Sequence, residues 1–298
     1  MEDGSRYLDP QFLDRLADIE LVARYAVEGF FAGLHPSPYH GFSVEYSDHR
    51  QYHPGDELRF VDWKVYGRTD KLYIKQYQQE THARVCLVLD SSASMGFRGS
   101  GAVTKMDYGR FLAAALSHLM LRQGDSVSLT LFGEAIREQI PASSRRTHLH
   151  VLLAGLERAR PEGRTNLAAA LHALAETTSR RGLVILISDL LADDQAIFQG
   201  LAHLRFLGQD VLVFQILDPI EQNLDWQGPI QFEDMESDRV LRADPSDLRH
   251  AYQARMSKIL DRIQKTLGHQ GIDYCLCDTS QPLDRMLMAY LARRERMM

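Results

Sequence analysis

Residues 85–89, 183–187 and 211–216 are apolar at nearly every position, and that continuity constrains the fold more than any other feature of the chain. A strand with one wet face alternates apolar and polar side chains, whereas an unbroken apolar run is a strand covered on both faces, as in a parallel sheet. Between these runs, and around a fourth at 127–132, apolar residues recur at three- and four-residue spacing. That period predicts helices over 104–122, 147–159, 166–180 and 194–207. Strand and helix in alternation specify an α/β architecture: a doubly wound, mostly parallel sheet flanked by helices, Rossmann-like in layout. Residues 135–140 follow Phe132-Gly133-Glu134 closely enough to return as a hairpin, which adds one antiparallel edge strand. Leu248, Tyr252, Met256, Ile259, Ile263 and Leu267 lie on one stripe of a long helix over 245–267, and a strand over 272–277 and a helix over 283–294 close the domain.

The first 80 residues have a different texture. Leu13, Leu16, Ile19, Ala23, Ala26 and Phe30 share helical spacing over 8–33, and Gly33, Pro36 and Pro38 end that helix. Over 41–80, aromatic and β-leaning stretches broken by the Pro54-Gly55-Asp56 turn signal predict short strands and turns. The expected organisation is an N-terminal helix and a small β-rich segment at 1–80, followed by the α/β domain at 81–298.

An apolar content of 45% is enough to fill a large core, and a net charge of −6 provides no global basic field for nucleic acid or an acidic membrane surface. No run approaches the ~18 apolar residues of a spanning helix. Met1-Glu2-Asp3-Gly4 lacks the basic and apolar regions of a signal peptide. The expectation is a cytoplasmic protein without a membrane span. Of three cysteines, Cys86 falls inside an apolar strand, and the Cys275-Leu276-Cys277 pair stands alone, so all three read as core residues rather than metal ligands.

Ligands in an open α/β sheet bind beyond the carboxyl ends of the strands. Asp90 ends the first apolar run and Asp189 follows the 183–187 run, which places two carboxylates on one sheet edge. Ser92 and Ser94 follow Asp90 at alternate positions of its loop, and Thr165 stands just before a helix in Gly163-Arg164-Thr165-Asn166. Any one of these taken alone reads more readily as a helix cap. Together, Asp90, Ser92, Ser94, Thr165 and Asp189 form an all-oxygen donor set suited to a hard divalent cation, Mg²⁺ or Mn²⁺. Only two carboxylates offset the ion's charge, so a carboxylate from another protein would complete the octahedron.

Enzymatic rivals match less well. Gly96-Phe97-Arg98-Gly99-Ser100-Gly101 resembles a phosphate loop, but Ala102-Val103 stand where Lys and Ser or Thr are needed. The loop reads instead as a flexible segment that moves when the site is occupied. A metal-dependent phosphate-ester hydrolase with Asp90 as nucleophile is the alternative function, yet such enzymes carry a second Asp two residues on, where this chain has Ser92. The bunched His35, His40, His49 and His53 have no metal-site spacing.

At Asp90, Ser92, Ser94, Thr165 and Asp189 the chain resembles the von Willebrand factor A domain with its metal-ion-dependent adhesion site. Glu45, Arg50, Tyr52, Pro54-Gly55-Asp56, Arg59, Asp62-Trp63, Lys75 and Glu80 are similar to the signature of domain-of-unknown-function family 58. The resemblance spans about residues 40–295. It departs at Glu57, where Asp is common, and at Tyr66-Gly67-Arg68. Members of that family commonly appear beside MoxR-type AAA+ ATPases. The resemblance therefore implies a non-enzymatic, Mg²⁺-dependent protein-binding module, an adaptor for such an ATPase in assembling or activating protein complexes. Arg50, Asp56, Arg59 and Asp62 read as ion pairs that hold the β-rich segment to the main sheet, with a partner-facing surface on this segment as the alternative.

Overall fold

The computed structural model describes residues 49–52, 63–69, 71–75, 83–99, 101–177, 181–191 and 194–283. The expected helices at 8–33 and 283–294 lie outside that set, apart from Leu283, as do Asp56, Arg59 and Asp62. The described residues fall into two compact units, one between 49 and 75 and one from Ala83 onward.

In the smaller unit, β1 (His49–Gln51) and β2 (Tyr73–Lys75) pair antiparallel, with His49 opposite Lys75. Between them lies α1 (Trp63–Thr69), a helix where the sequence predicts only strands and turns. The aromatic content that favours a strand is accommodated by helical i,i+3 spacing: the Trp63 and Tyr66 rings meet edge to face at 6.1 Å.

The larger unit is built on six strands: β3 (Arg84–Asp90), β4 (Ser126–Phe132), β5 (Ile136–Ser143), β6 (Leu183–Ser188), β7 (Asp210–Leu217) and β10 (Asp273–Asp278). Their order is β10-β7-β6-β3-β4-β5. All neighbours are parallel except β4 and β5, so the hairpin return forms the antiparallel edge. The helices are α2 (Lys105–Arg122), α3 (His148–Arg158), α4 (Leu167–Thr177), α5 (Asp194–Phe206), α6 (Pro219–Asn223) and α7 (Pro245–His269). Between β7 and α7, where the sequence pattern specifies no element, the chain forms α6 and then an antiparallel hairpin, β8 (Ile230–Glu233) and β9 (Val240–Ala243). Four-residue strands with exposed apolar residues, such as Leu241 at 61% exposure, carry too little pattern to be recognised.

Strand alternation divides the core. Leu87, Leu89, Ile185, Ile187 and Phe214 pack with Leu112 of α2 and Leu152 of α3 on one face. Val88, Leu186 and Val213 pack with Leu171 of α4, Leu201 of α5 and Leu267 of α7 on the other. Each such side chain contributes roughly 1.5–3 kcal/mol by leaving water. Cys277 is buried and Cys86 and Cys275 are partly buried, all three as free thiols packed with these clusters. No helix among the described residues is long and apolar enough to cross a membrane.

Candidate metal centre

β3 lies between β4 and β6, so the chain leaves it toward one side of the sheet and later returns on the other. That reversal opens a crevice at the carboxyl ends of β3 and β6. Leu89 is in register with Ile187, which brings Asp90 level with Ser188. Ser188 Oγ donates to Asp90 Oδ2 at 2.7 Å, and the Ser92 N–H donates to Asp90 Oδ1 at 2.9 Å. Asp189 follows at once, with its Oδ1 accepting the Leu191 N–H at 3.1 Å. The turn that aims it is strained: Leu190 has φ 57°, a region costly for a branched side chain, and is held there by burial and by its N–H on Ser188 Oγ at 3.0 Å. On the next strand, Gln215 Nε2 donates to the Asp189 carbonyl at 3.0 Å and is itself held by the Tyr274 hydroxyl at 2.7 Å.

Backbone hydrogen bonds tie the threonine loop to the serine loop and to the turn after β4. Ala93 N–H donates to Gly163 O at 2.9 Å, Glu162 N–H to Ser91 O at 3.0 Å, and Asn166 N–H to Gly133 O at 2.9 Å. Arg137, on β5, clamps both loops by donating to the carbonyls of Ser91, Arg160 and Glu162. The sequence pattern does not mark Arg137, Gln215 or Ser188 as parts of the site. Ser188 alone leaves a trace, as the polar end of an apolar run.

Lys105 also escapes the sequence pattern, and it alters the electrostatics most. Its side chain is fully buried, with Nζ 2.7 Å from both Asp189 Oδ2 and Glu221 Oε1. It reaches the sheet edge because Gly109, one turn on, lets α2 press against β3; a Cβ there would lie 3.0 Å from Leu89 Cδ1. Burial alone would lower the Lys105 pKa, but Asp189 and Glu221 more than offset it and the net shift is upward. Glu221 is raised by burial despite Lys105. Asp90 is pushed up to about 7 by burial and then by the charge of Asp189, against the opposing hydrogen bonds from Ser188 and Ser92.

The fit of a cation can be judged from the oxygens. Ser92 Oγ and Ser94 Oγ are 3.1 Å apart, close to the ~2.9 Å edge of an octahedron with Mg–O distances of about 2.0–2.1 Å. Thr165 Oγ1 is buried with no hydrogen-bond partner among the described residues, an arrangement a cation would satisfy. Among the described residues no three His, Cys, Asp or Glu side chains are grouped to hold a metal, so a site here depends on hydroxyls. Asp90, Ser92 and Ser94 are joined by direct contacts, Asp189 is coupled to Asp90 through its charge, and Thr165 is brought up by the loop ties.

Gly99 and Gly101 of the glycine loop lie against α6 and its cap. The N–H groups of Gly99 and Gly101 donate to Asp218 Oδ2 at 3.0 and 3.1 Å, and a Cβ on Gly99 would lie 2.2 Å from Ile220 Cγ2. The missing Cβ at these glycines permits close packing on α6.

Several known proteins are similar to this chain. The protein Rv1480 of Mycobacterium tuberculosis is 29% identical over 265 residues, covering 85% of this chain and 82% of its own length, and Mb1516 of Mycobacterium bovis is similar to the same degree. Among solved structures, BatB from Bacteroides thetaiotaomicron is 16% identical with a TM-score of 0.43, over 72% of this chain and 99% of that one. The SpRpn10 VWA domain is 9% identical with a TM-score of 0.41, over 69% and 94%. Likenesses this slight bear on neither the function nor the site. The family model described as "Protein of unknown function DUF58" matches residues 48–260, and the chain belongs to that family.

Proposed function

We propose that the chain is a non-catalytic protein-binding module that holds Mg²⁺, or Mn²⁺, at Asp90, Ser92, Ser94, Thr165 and Asp189 and uses it to capture a carboxylate of a partner protein. The observation that carries this reading is the pairing of Lys105 with Asp189. With one of the two carboxylates already sharing its charge with a buried ammonium, three neutral hydroxyls would leave a bound cation short of anionic ligands. Both Asp90 oxygens and both Asp189 oxygens accept hydrogen bonds. Such fixed carboxylates suit direct or water-mediated contact with an ion that retains water readily. The partner, on the resemblance in the sequence, is a MoxR-type AAA+ ATPase, and the role is that of an adaptor in complex assembly or activation.

Capture of the purified ATPase with Mg²⁺ and with EDTA tests the reading. Capture that requires Mg²⁺ and is lost in Asp90→Ala is expected. Capture unchanged by EDTA would contradict it, as would metal-dependent phosphatase turnover that disappears in Asp90→Asn.

A further inference from the structure

The hairpin of β8 and β9 carries a carboxylate toward the same site. Its turn is shaped by Asp234, which accepts the Glu236 N–H at 2.9 Å on Oδ1 and the Ser237 hydroxyl on Oδ2. The turn is fastened to the threonine loop: Arg164 Nε donates to the Glu236 carbonyl at 2.9 Å, and the Thr165 N–H donates to Glu236 Oε2 at 2.9 Å. Apolar contacts hold the rest of the hairpin over the serine loop. The Phe232 ring meets Trp226 at 5.6 Å, Trp226 meets Phe97 at 6.4 Å, and Met235 Cε lies 3.5 Å from where a Cβ of Gly96 would stand.

Two buried oxygens are then left over where the turn meets the threonine loop. Glu236 Oε1 and Thr165 Oγ1 are both shielded from solvent and both lack a hydrogen-bond partner among the described residues. An unpaired buried carboxylate oxygen is costly, and the Thr165 hydroxyl, which could donate to it, makes no such bond here. The Glu236 carboxylate is held on the backbone of the residue that bears the second oxygen.

We propose that Glu236 supplies, from within the chain, the anionic ligand that the candidate cation site otherwise lacks, directly or through one water. A partner's carboxylate must then displace Glu236, and the hairpin with it, before it reaches the ion. This inference rests on the metal-binding reading of the site, and it adds a competitor that the five-residue set does not contain. Glu236 is the only carboxylate fastened to the Thr165 backbone among the described contacts.

Mn²⁺ serves as the probe, with affinity read by titration, inner-sphere water by proton relaxation, and hairpin position by Trp226 emission in a Trp63→Phe background that leaves one tryptophan. Glu236→Gln keeps an oxygen for the Thr165 N–H and removes the charge. It is expected to weaken Mn²⁺ roughly ten- to hundredfold, to raise the relaxivity of bound Mn²⁺, and to make that relaxivity fall on adding acetate, to which the unsubstituted protein responds far less. Metal-dependent change in Trp226 emission is expected to vanish in the variant, while emission without metal stays the same. If Asp90→Ala abolishes binding but Glu236→Gln matches the unsubstituted protein in affinity, relaxivity and acetate response, the role of Glu236 is overturned and the cation site stands. If the unsubstituted protein binds no Mn²⁺, the site reading itself is overturned, and the role of Glu236 with it.

Discussion

Lys105 Nζ lies 2.7 Å from Asp189 Oδ2 with both side chains fully buried, so one of the two carboxylates of the candidate centre has a fixed cationic partner inside the protein. The pair joins the start of α2 to the end of β6, and Glu221 of α6 shares the same ammonium. The arrangement has consequences for stability as well as for binding.

Lys105→Met removes the cation and leaves Asp189 and Glu221 buried and close to each other. Breaking a buried pair by removing one partner costs about 3–5 kcal/mol, and that loss is expected in urea denaturation of the metal-free variant. Mg²⁺ is expected to recover part of it, so the stabilisation by Mg²⁺ is larger in the variant than in the unsubstituted protein.

Asp90, raised to about 7 in the fold, makes the metal-free protein pH-sensitive in a defined direction. Between the unfolded value near 3.9 and about 7, the folded state binds the extra proton, so stability falls as pH rises through that window. Asp90→Asn imitates the protonated acid. Without metal it is expected to be more stable than the unsubstituted protein at pH 8, by a few kcal/mol at most, with the difference shrinking toward pH 5. Mg²⁺ competes with the same proton, so its effect on Tm is expected to be greater at pH 8 than at pH 6.

Arg137→Ala removes the clamp on the carbonyls of Ser91, Arg160 and Glu162 without touching a candidate ligand. The expected result is a Mg²⁺ affinity lowered about tenfold with a stability loss of about 1.5–3 kcal/mol. Unchanged affinity by titration would show that the loops keep their spacing without it.

Ser188→Ala deprives Asp90 Oδ2 of its donor and the Leu190 N–H of its acceptor. A buried carboxylate that loses a hydrogen bond costs about 1–3 kcal/mol. Thermal unfolding should register this in the metal-free protein, and the pH at which stability falls should move upward as Asp90 loses the bond that opposes its raised pKa.

The sheet was legible because its strands are covered on both faces, with Leu87, Ile185 and Phe214 packed on one and Val88, Leu186 and Val213 on the other, and so leave an unbroken apolar signature. Asp90 and Asp189 were legible for the same reason, as carboxylates at the ends of such runs. Residues that act from a distance in sequence left no comparable signal. Lys105 looks like any helix-start lysine until Gly109 brings α2 onto the sheet. Arg137 lies on the edge strand β5, where alternation with exposed neighbours makes an arginine unremarkable. Glu236 sits in the turn of a hairpin whose strands are too short to show a period. In the glycine loop, composition alone leaves a packing role unmarked: Gly99 and Gly101 pack closely against Asp218 and Ile220.

The most direct test of the cation site is titration calorimetry of Mg²⁺ into the unsubstituted chain, Asp90→Ala and Thr165→Ala at pH 8. One Mg²⁺ per chain, with binding abolished in Asp90→Ala and weakened at least tenfold in Thr165→Ala, is predicted. No binding by the unsubstituted chain, or equal binding by all three, would contradict the account.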